Sequence, residues 1–317
     1  MPDIHWFRND LRLHDNPALW HTARLSATNG DGILPIFIFD KTRIYGSEVR
    51  TRLSSSRKCG PRRAQFLLEA VADLRKNLES CGSGLIIGIG KPEIILGKIT
   101  KSVVVNNIVC QQEICSEELS INEAVRSELN SLGIEVNLQS ISGSTLYDAS
   151  TLPFDINNIP DTFSRFRKEV EECCKIGVPL DAVSDQFLKL PHDIHNILQE
   201  IGCSLEYMPT LVDLGYSYED IQDISTVDPR TAMPKGYKGG ETFAMARVQE
   251  YIWDLDLIQS YFDTRNGMIG SDYSTKFAPW LAHGNLSPRY IARECRRYEE
   301  NRVENKSTVS MHIFSLI

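Results

Sequence analysis

Long apolar runs and paired cysteines are both missing from this sequence of 317 residues. The apolar stretch at residues 103–110 contains two asparagines and falls well short of the roughly 18 apolar residues of a membrane-spanning helix. None of the eight cysteines forms a C-x-x-C motif, so we expect reduced thiols and no metal site. The first residues lack the pattern of a signal or transit peptide. These absences predict an intracellular protein without a membrane anchor, in a compartment that the sequence does not specify.

An excess of positive charge is also missing, because 34 Lys and Arg residues face 42 Asp and Glu residues. Residues 151–228 carry five basic against fifteen acidic side chains, so this region is the least suited to contact a phosphate backbone. The densest basic stretch is residues 41–63, where eight Lys and Arg residues accompany a single acidic residue, Glu48. A solvated loop and a binding patch explain this stretch about equally well.

The first 140 residues alternate short apolar runs with helical periods. The apolar runs are residues 4–7, 33–39, 85–89, 103–109 and 134–138. Most of them lack polar alternation, as parallel strands buried on both faces do. With helices as crossovers, the pattern predicts an α/β fold: a five-stranded, doubly wound, Rossmann-like parallel sheet.

Several helix starts can be recognised between these runs. Asp15 and Asn16 precede Pro17, a capping pair ahead of a proline in the first helical turn. Ser116 is predicted to cap a helix whose first turn is acidic. Residues 88–93 contain two of the three glycines of a dinucleotide motif, so we favour a tight turn into a helix that Pro92 opens.

After residue 140 the sequence changes character twice. Residues 141–239 are acidic, rich in proline and only briefly helical, as at 162–174, which predicts a connector lying over the surface. From residue 240 the apolar period becomes helical, with one stripe over 243–258 and a second helix over 287–301. We therefore divide the chain into an α/β domain (1–140), a connector (141–239) and a helical domain (240–317).

The stretch around residue 276 carries the strongest sign of a ligand. Ser274, Thr275 and Lys276 stand directly before Phe277, Ala278 and a proline that opens a short helix. Two hydroxyls, a cation and the free N–H groups of a helix start suit an anion such as a diphosphate. An ordinary helix cap is the alternative.

Five segments together resemble the photolyases and cryptochromes. They are residues 6–19 (WFRNDLRLHDNPAL), 60–78, 110–118 (CQQEICSEE), 239–253 and 263–289. The form TRNGMIGSDYSTKF is similar to the DASH-type cryptochromes in particular, and the resemblance extends to about residue 308.

The resemblance implies two cofactors. FAD would be contacted by the residues that match its diphosphate and ribose segment and by an upstream tyrosine: Tyr261, Ser274, Thr275, Lys276, Phe277 and Ala278. Glu113 matches the carboxylate that fixes the pterin of an antenna folate, 5,10-methenyltetrahydrofolate. Tyr261 could instead belong to the core, and Glu113 could cap the next helix. No catalytic residue and no metal ligand is implied.

The resemblance also implies an activity and a partner. The family uses light to split cyclobutane pyrimidine dimers, acting as a deoxyribodipyrimidine photo-lyase, and some members are blue-light photoreceptors. DASH-type relatives favour single-stranded DNA, where flipping out a dimer costs least. We expect a monomer that binds such DNA and no membrane.

Two departures from the family pattern stand out within the helical domain. The family usually has an apolar residue at His283, and a small residue or cysteine at Asn285. After residue 308 the chain reads VSMHIFSLI, where the family continues with helices around the flavin ring and adenine.

We therefore expect a truncated FAD-binding domain that does not retain FAD and has lost the lyase activity. A non-catalytic α/β binding module is the alternative function. Residues 248–255 would then present an exposed apolar face, and Ser274 and Lys276 would be accessible to solvent.

Overall fold

The computed structural model describes residues 1–29, 32–183, 188–191, 194, 198, 201, 203–225, 236–268 and 270–304. The strands are β1 (Asp3–Phe7), β2 (Ile33–Phe39), β3 (Ile86–Ile89), β4 (Asn107–Gln111) and β5 (Asn137–Ile141). The α-helices are α1 (Pro17–Asn29), α2 (Pro61–Ser80), α3 (Pro92–Ser102), α4 (Ser116–Ser131), α5 (Phe163–Cys173), α6 (Tyr218–Ser225), α7 (Glu241–Gln249), α8 (Tyr261–Thr264), α9 (Ala278–Ala282) and α10 (Pro288–Glu304). A π-helical turn, Glu250–Asp254, continues α7, and short 3₁₀ turns lie at Ala149–Thr151, Ile156–Asn158 and Leu257–Ser260.

The five strands form one parallel sheet in the order β3-β2-β1-β4-β5. This arrangement confirms the predicted doubly wound α/β fold. Every residue of β1 and β2 is buried, which explains why the sequence of β2 shows no polar alternation. β4 and β5 begin later than predicted. For β4 the reason is that Val103 is the C-cap of α3 and Val104 is exposed, so these valines belong to the connection before the strand.

Each face of the sheet carries its own apolar cluster. On one face α2 packs through its predicted stripe, with Leu67 and Leu74 buried in the same cluster as Phe37. On the other face α3 and α4 contribute, with Leu96 buried in the same cluster as Ile36. Helices therefore cover both faces of the sheet, as a doubly wound fold requires.

The connector adds to both clusters. Leu211 and Tyr216 are buried with the α2 face, and Cys203 is buried with the α3–α4 face. The Tyr216 hydroxyl donates to the backbone oxygens of Tyr45 at 3.1 Å and Cys59 at 2.7 Å. The described part of the connector therefore lies over the α/β domain, in agreement with its sequence. The boundaries at residues 140 and 239 remain predictions.

The helix starts follow the sequence in two of three cases. Asn16 Oδ1 accepts a hydrogen bond from the Leu19 N–H at 3.0 Å and so caps α1. Pro92 opens α3 directly after a turn in which Gly90 has a φ of 144°. The predicted cap at Ser116 is wrong. Cys115 is the N-cap with extended backbone and no side-chain bond, because the helical conformation already begins at Ser116.

The helical segment has a compact cluster of its own. Val248, Tyr251 and Ile252 are buried against Trp280 and residues of α10. The expectation of an exposed apolar face at residues 248–255 is therefore wrong for this part of the chain, although Leu255 is 50% exposed. The physical reason is that α9 and α10 fold back over the stripe. The predicted departure after residue 308 lies outside the described residues.

Buried polar contacts join this segment to the α/β domain. Both carboxylate oxygens of Glu241, at the start of α7, accept backbone N–H groups, from Leu13 at 2.8 Å and from His14 at 2.9 Å. His14 Nδ1 lies 2.5 Å from the same carboxylate, and His14 Nε2 accepts from the Ser287 N–H at 3.3 Å. These two contacts assign the proton to Nδ1, so the neutral imidazole satisfies both neighbours.

Asp15 forms a second junction at the start of α10. Its buried carboxylate accepts from the Ser287 hydroxyl and from Arg289 Nε, the latter at 2.9 Å. Because the backbone of Asp15 is left-handed, with a φ of 41°, this side chain is held in a specific orientation. The helical segment is thus fixed to the loop that follows β1.

No helix in the described ranges is long and apolar enough to span a membrane. In the same ranges no group of three or more His, Cys, Asp and Glu side chains is placed to hold a metal ion.

Candidate cofactor-binding sites

The sheet topology predicts a ligand site at the carboxyl ends of β1 and β4. β1 lies at the centre of the sheet, with β2 on one side and β4 on the other, so the connections after β1 and β4 leave in different directions. In open α/β sheets, ligands bind in the crevice at such a switch point. Arg8, Asn9 and Asp10 follow β1 directly. They meet Gln111, the last residue of β4, and Glu113, two residues beyond it.

Glu113 lies in this crevice and is oriented by the β1 loop. Its Oε1 accepts a hydrogen bond from Asn9 Nδ2 at 3.1 Å, and Gln111 Nε2 donates to the Asn9 carbonyl at 3.2 Å. Burial raises the pKa of Glu113, while the nearby charge of Arg8 and the Asn9 bond oppose the rise. A half-buried carboxylate with one donor among the described residues has room for further donors from a ligand. The alternative, that Glu113 caps α4, is wrong because the N-cap is Cys115.

Arg8 fixes the other wall of the crevice. Its Nη1 donates to Asn122 Oδ1 at 2.7 Å, its Nη2 donates to the Glu118 carbonyl at 3.3 Å, and its guanidinium lies 4.7 Å from the centre of the Trp6 ring. Beside it is a cavity of about 50 Å³ that Arg8, Asn9, Tyr45 and Glu118 help to line. Glu118 also lines this cavity, and its Oε2 is buried without a hydrogen-bond partner in the described part of the chain, so it is available as an acceptor.

Asp10 stabilises the loop that follows β1. Its carboxylate accepts from the Arg8 N–H at 2.7 Å and from Asn16 Nδ2 at 3.2 Å, and it lies 3.6 Å from His5 Nε2. Burial alone would raise the pKa of Asp10, but the hydrogen bond and charge of His5 and the Arg8 N–H together lower it. The charged Asp10 therefore holds Arg8 and Asn9 in place.

The turn after α9 packs directly on this loop. The Leu11 N–H donates to the His283 carbonyl at 3.3 Å, and Asn285 Nδ2 donates to the Leu11 carbonyl at 3.0 Å. Gly284 has a φ of 67°, and a Cβ there would lie 1.9 Å from the Asn9 oxygen, so only glycine fits. The helical segment thus helps to shape the crevice that contains Glu113.

His283 and Asn285, the two departures from the family pattern, are both buried in that turn. Among the described residues, His283 Nδ1 and Asn285 Oδ1 have no hydrogen-bond partner. Burial lowers the pKa of His283 to about 4, so the imidazole is neutral at pH 7. These two unpartnered polar atoms at a packed junction cost stability.

The residues predicted to contact FAD lie in the helical segment. Thr275 and Phe277 are buried, Ser274 and Lys276 are half-buried, and Ala278 is exposed. Ser274 and Lys276 are therefore less accessible than expected. α9 has Phe277 as its N-cap and no side-chain bond at its start, which counts against the alternative that Ser274 or Thr275 is an ordinary cap.

A buried arginine from α7 holds this segment. Arg247 is 3% exposed, and it donates to the carbonyls of Thr275 and Ser271, each at 3.3 Å. Its Nη1 also donates to Glu250 Oε2 at 2.6 Å. This role could not be predicted from the sequence, because a lone arginine on an amphipathic helix looks like a surface residue.

Tyrosines surround the same segment. Tyr261 begins α8 and contacts Tyr251 edge to face at 6.5 Å, and Tyr251 contacts Phe277 at 6.2 Å. Burial raises the pKa of Tyr251 to about 12, and its hydroxyl has no partner. Tyr261 is therefore both part of the apolar cluster and adjacent to the ligand segment, so the two interpretations of this residue are compatible.

Lys276 completes the arrangement. Its backbone is left-handed, with a φ of 62°, and its Nζ lies 3.5 Å from the centre of the Tyr273 ring. The Lys276 carbonyl accepts from the Tyr237 hydroxyl at 3.4 Å. An ammonium group, hydroxyls and an uncapped helix start therefore occur together, which is the donor set that a diphosphate requires. Chemically, this segment can bind an anion and the Glu113 crevice can accept hydrogen bonds from a planar ligand.

Known proteins share both the sequence and the fold. The family described as DNA photolyase matches residues 3–185. Cryptochrome DASH of Oryza sativa subsp. japonica is 40% identical over 99% of this chain and 52% of its own length, and that of Xenopus laevis is 41% identical over 98% and 54%. A crystal structure of a Synechocystis cryptochrome superposes with a TM-score of 0.80 at 34% identity, covering 95% of this chain and 56% of the other.

The chain therefore spans about half the length of the curated relatives that it matches. Within that span the similarity includes the sheet, the connector and the helical segment. The chain belongs to the DNA photolyase family, and it is similar to the cryptochromes of the DASH type over nearly its whole length.

Proposed function

We propose that this chain acts in DASH-type light-dependent chemistry, in the repair of cyclobutane pyrimidine dimers in single-stranded DNA or in blue-light reception. FAD and an antenna folate, 5,10-methenyltetrahydrofolate, would be its cofactors. The observation that carries the proposal is the crevice at the switch point, where Glu113 is half-buried, oriented by Asn9 and bound by a single described donor.

The residues of the crevice fit a folate. A pterin ring presents an amide N–H and an amino group on one edge, and a carboxylate is the acceptor that binds both. Glu113 keeps acceptor capacity after its bond from Asn9, and Glu118 Oε2 adds a buried acceptor nearby. Bound there, the folate would absorb near-ultraviolet or blue light for the chain.

The helical segment fits the diphosphate of FAD. Ser274, Thr275 and the Lys276 ammonium supply donors, and Arg247 fixes the backbone that carries them. The unpartnered Tyr251 hydroxyl is a further donor in the same cluster. The flavin would supply the electron-transfer chemistry, while these residues bind the cofactor, orient it and exclude water.

A folate-binding module without flavin is the second candidate function. One observation favours it: the cavity beside Arg8 is lined entirely by residues of the α/β domain, between Trp6 and Ile121. Folate could therefore bind whether or not FAD is present.

A repair assay tests the proposal. The purified chain is incubated with FAD and 5,10-methenyltetrahydrofolate, then mixed with ultraviolet-irradiated oligothymidylate and illuminated with blue light under reducing conditions. Loss of dimers only in the light supports the first function. Folate binding without repair supports the second candidate, and the absence of both cofactors' binding contradicts the proposal.

A further inference from the structure

A basic groove on the α/β domain belongs to neither candidate cofactor site. It lies between the hairpin that carries residues 50–57 and the start of α4, with a volume of about 790 Å³. Four cationic side chains and one acidic side chain, Glu117, line it. The cations are Arg43, Arg50, Arg52 and Lys58. We propose that this groove binds a small polyanion that carries two or more phosphate or carboxylate groups.

Two of the cations are fixed by carboxylates and form the wall of the groove. Arg43 contacts Asp40 at 2.5 Å and Glu93 at 2.6 Å. Lys58 pairs with Glu117 and also donates to the Arg43 carbonyl at 3.1 Å. The wall is therefore preorganised, so an entering ligand orders few side chains and loses little affinity to that cost.

The other two cations keep their charge available. The carboxylate of Glu48 is 3.9 Å from Arg50, and its side chain is 88% exposed, so screening by water leaves this pair weak. Arg52 is exposed and has no ion pair or hydrogen bond within the described part of the chain. Positive charge thus remains uncompensated on one side of the groove.

A bound anion should also stabilise the hairpin itself. Arg50 and Arg57 form an antiparallel bridge, and like charges placed opposite each other on two strands are destabilising. Arg57 forms an ion pair with Asp220, whereas Arg50 lines the groove. The hydroxyls of Thr51 and Ser54, 2.6 Å apart, also line the groove and can donate to an anion.

The dimensions and lining favour a compact ligand over a nucleic acid. The volume falls within the range of small-molecule pockets, about 300–1,000 Å³. Among the described residues that line the groove none is aromatic, whereas single-stranded nucleic acids are usually held by bases stacked on aromatic rings. Ile44 and Ile121 border both this groove and the Arg8 cavity, but Glu113 does not line the groove, so this inference is independent of the folate proposal.

Calorimetric titration of the full chain with inorganic tripolyphosphate and, separately, with citrate tests the inference. The Arg50→Gln/Arg52→Gln double variant should bind the preferred probe at least ten-fold more weakly, since each charge-assisted contact is worth about a factor of ten. Glu117→Gln should bind it more tightly, because Lys58 is released. Arg126→Gln, which removes an exposed arginine of α4 outside the groove, and Glu113→Gln should bind it as the unmodified chain does.

The probe that binds identifies the anionic group. Binding of tripolyphosphate alone indicates a phosphate ligand, and binding of citrate alone indicates a carboxylate ligand. Because Arg50 and Arg52 lie at the surface, thermal melting should show an unchanged fold in the double variant. The inference is overturned if neither probe binds, if the double variant binds as well as Arg126→Gln does, or if oligothymidylate displaces tripolyphosphate and binds more tightly through the same arginines.

Discussion

The two candidate cofactor sites are built in different ways. At the carboxyl ends of β1 and β4, residues about a hundred positions apart meet because the two strands are neighbours, and several polar groups support one another: Asp10 holds Arg8, and Asn9 holds Glu113. In the helical segment, one buried arginine carries most of the connections to residues 271–276. The site at the ends of the parallel strands is therefore fixed by the fold, whereas residues 271–276 depend mainly on the side chain of Arg247.

Removing Arg247 should break the helical site and leave the other intact. Arg247→Met deletes two hydrogen bonds to backbone carbonyls and two ion pairs, with Glu250 and Asp272, which should lower the free energy of unfolding by about 3 kcal/mol. FAD binding should be lost, while folate binding should change less than two-fold. Chemical denaturation and separate titrations with the two cofactors measure these effects. Equal losses at both sites would show that the sites are not independent.

The junction between the sites should respond to Glu241. Glu241→Gln weakens charge-assisted bonds to Leu13, His14 and the His14 ring, at a cost of about 2 kcal/mol. Burial would raise the pKa of Glu241, but the hydrogen bonds from the His14 ring and from the His14 and Leu13 N–H groups lower it. The stabilisation is therefore complete above the ordinary pKa of glutamate and is lost as the pH falls through the lowered value.

Urea unfolding of the unmodified chain and of Glu241→Gln, at neutral pH and in acid, tests this sign. The difference between the two proteins should shrink in acid. A difference that grows on acidification would contradict the assignment of a charged Glu241 at the junction.

Replacing His283 should stabilise the turn that packs against the Glu113 crevice. His283→Leu removes a buried nitrogen without a partner and should stabilise the chain by about 1 kcal/mol at neutral pH. In the unfolded state His283 takes up a proton near pH 6.5, whereas in the folded state its pKa is about 4. The unmodified chain therefore loses stability as the pH falls between these values. Thermal melts of both proteins across this interval should diverge as the pH is lowered, and parallel curves would be contrary to the account.

Much of the α/β domain could be predicted from its sequence, since buried parallel strands and capped helices depend on local patterns. The failures are local as well: the valines at residues 103–105 have strand propensity, but the end of α3 places them outside the sheet. The partners within the sites could not be predicted. Arg8 bonds to Asn122 and Arg247 to Thr275, and neither contact leaves a periodic or spacing signal in one sequence.

Glu113 is the residue on which the proposed folate site depends most directly. Its carboxylate, at the carboxyl end of β4, should accept the hydrogen bonds of a pterin whether or not FAD is bound. Titration of the chain with 5,10-methenyltetrahydrofolate, followed by absorbance without added FAD, should give an affinity about ten-fold lower for Glu113→Gln, because a charge-assisted pair of hydrogen bonds is lost. Glu123→Gln, an exposed change on α4, should match the unmodified chain. Equal folate affinity in Glu113→Gln and Glu123→Gln would contradict the claim.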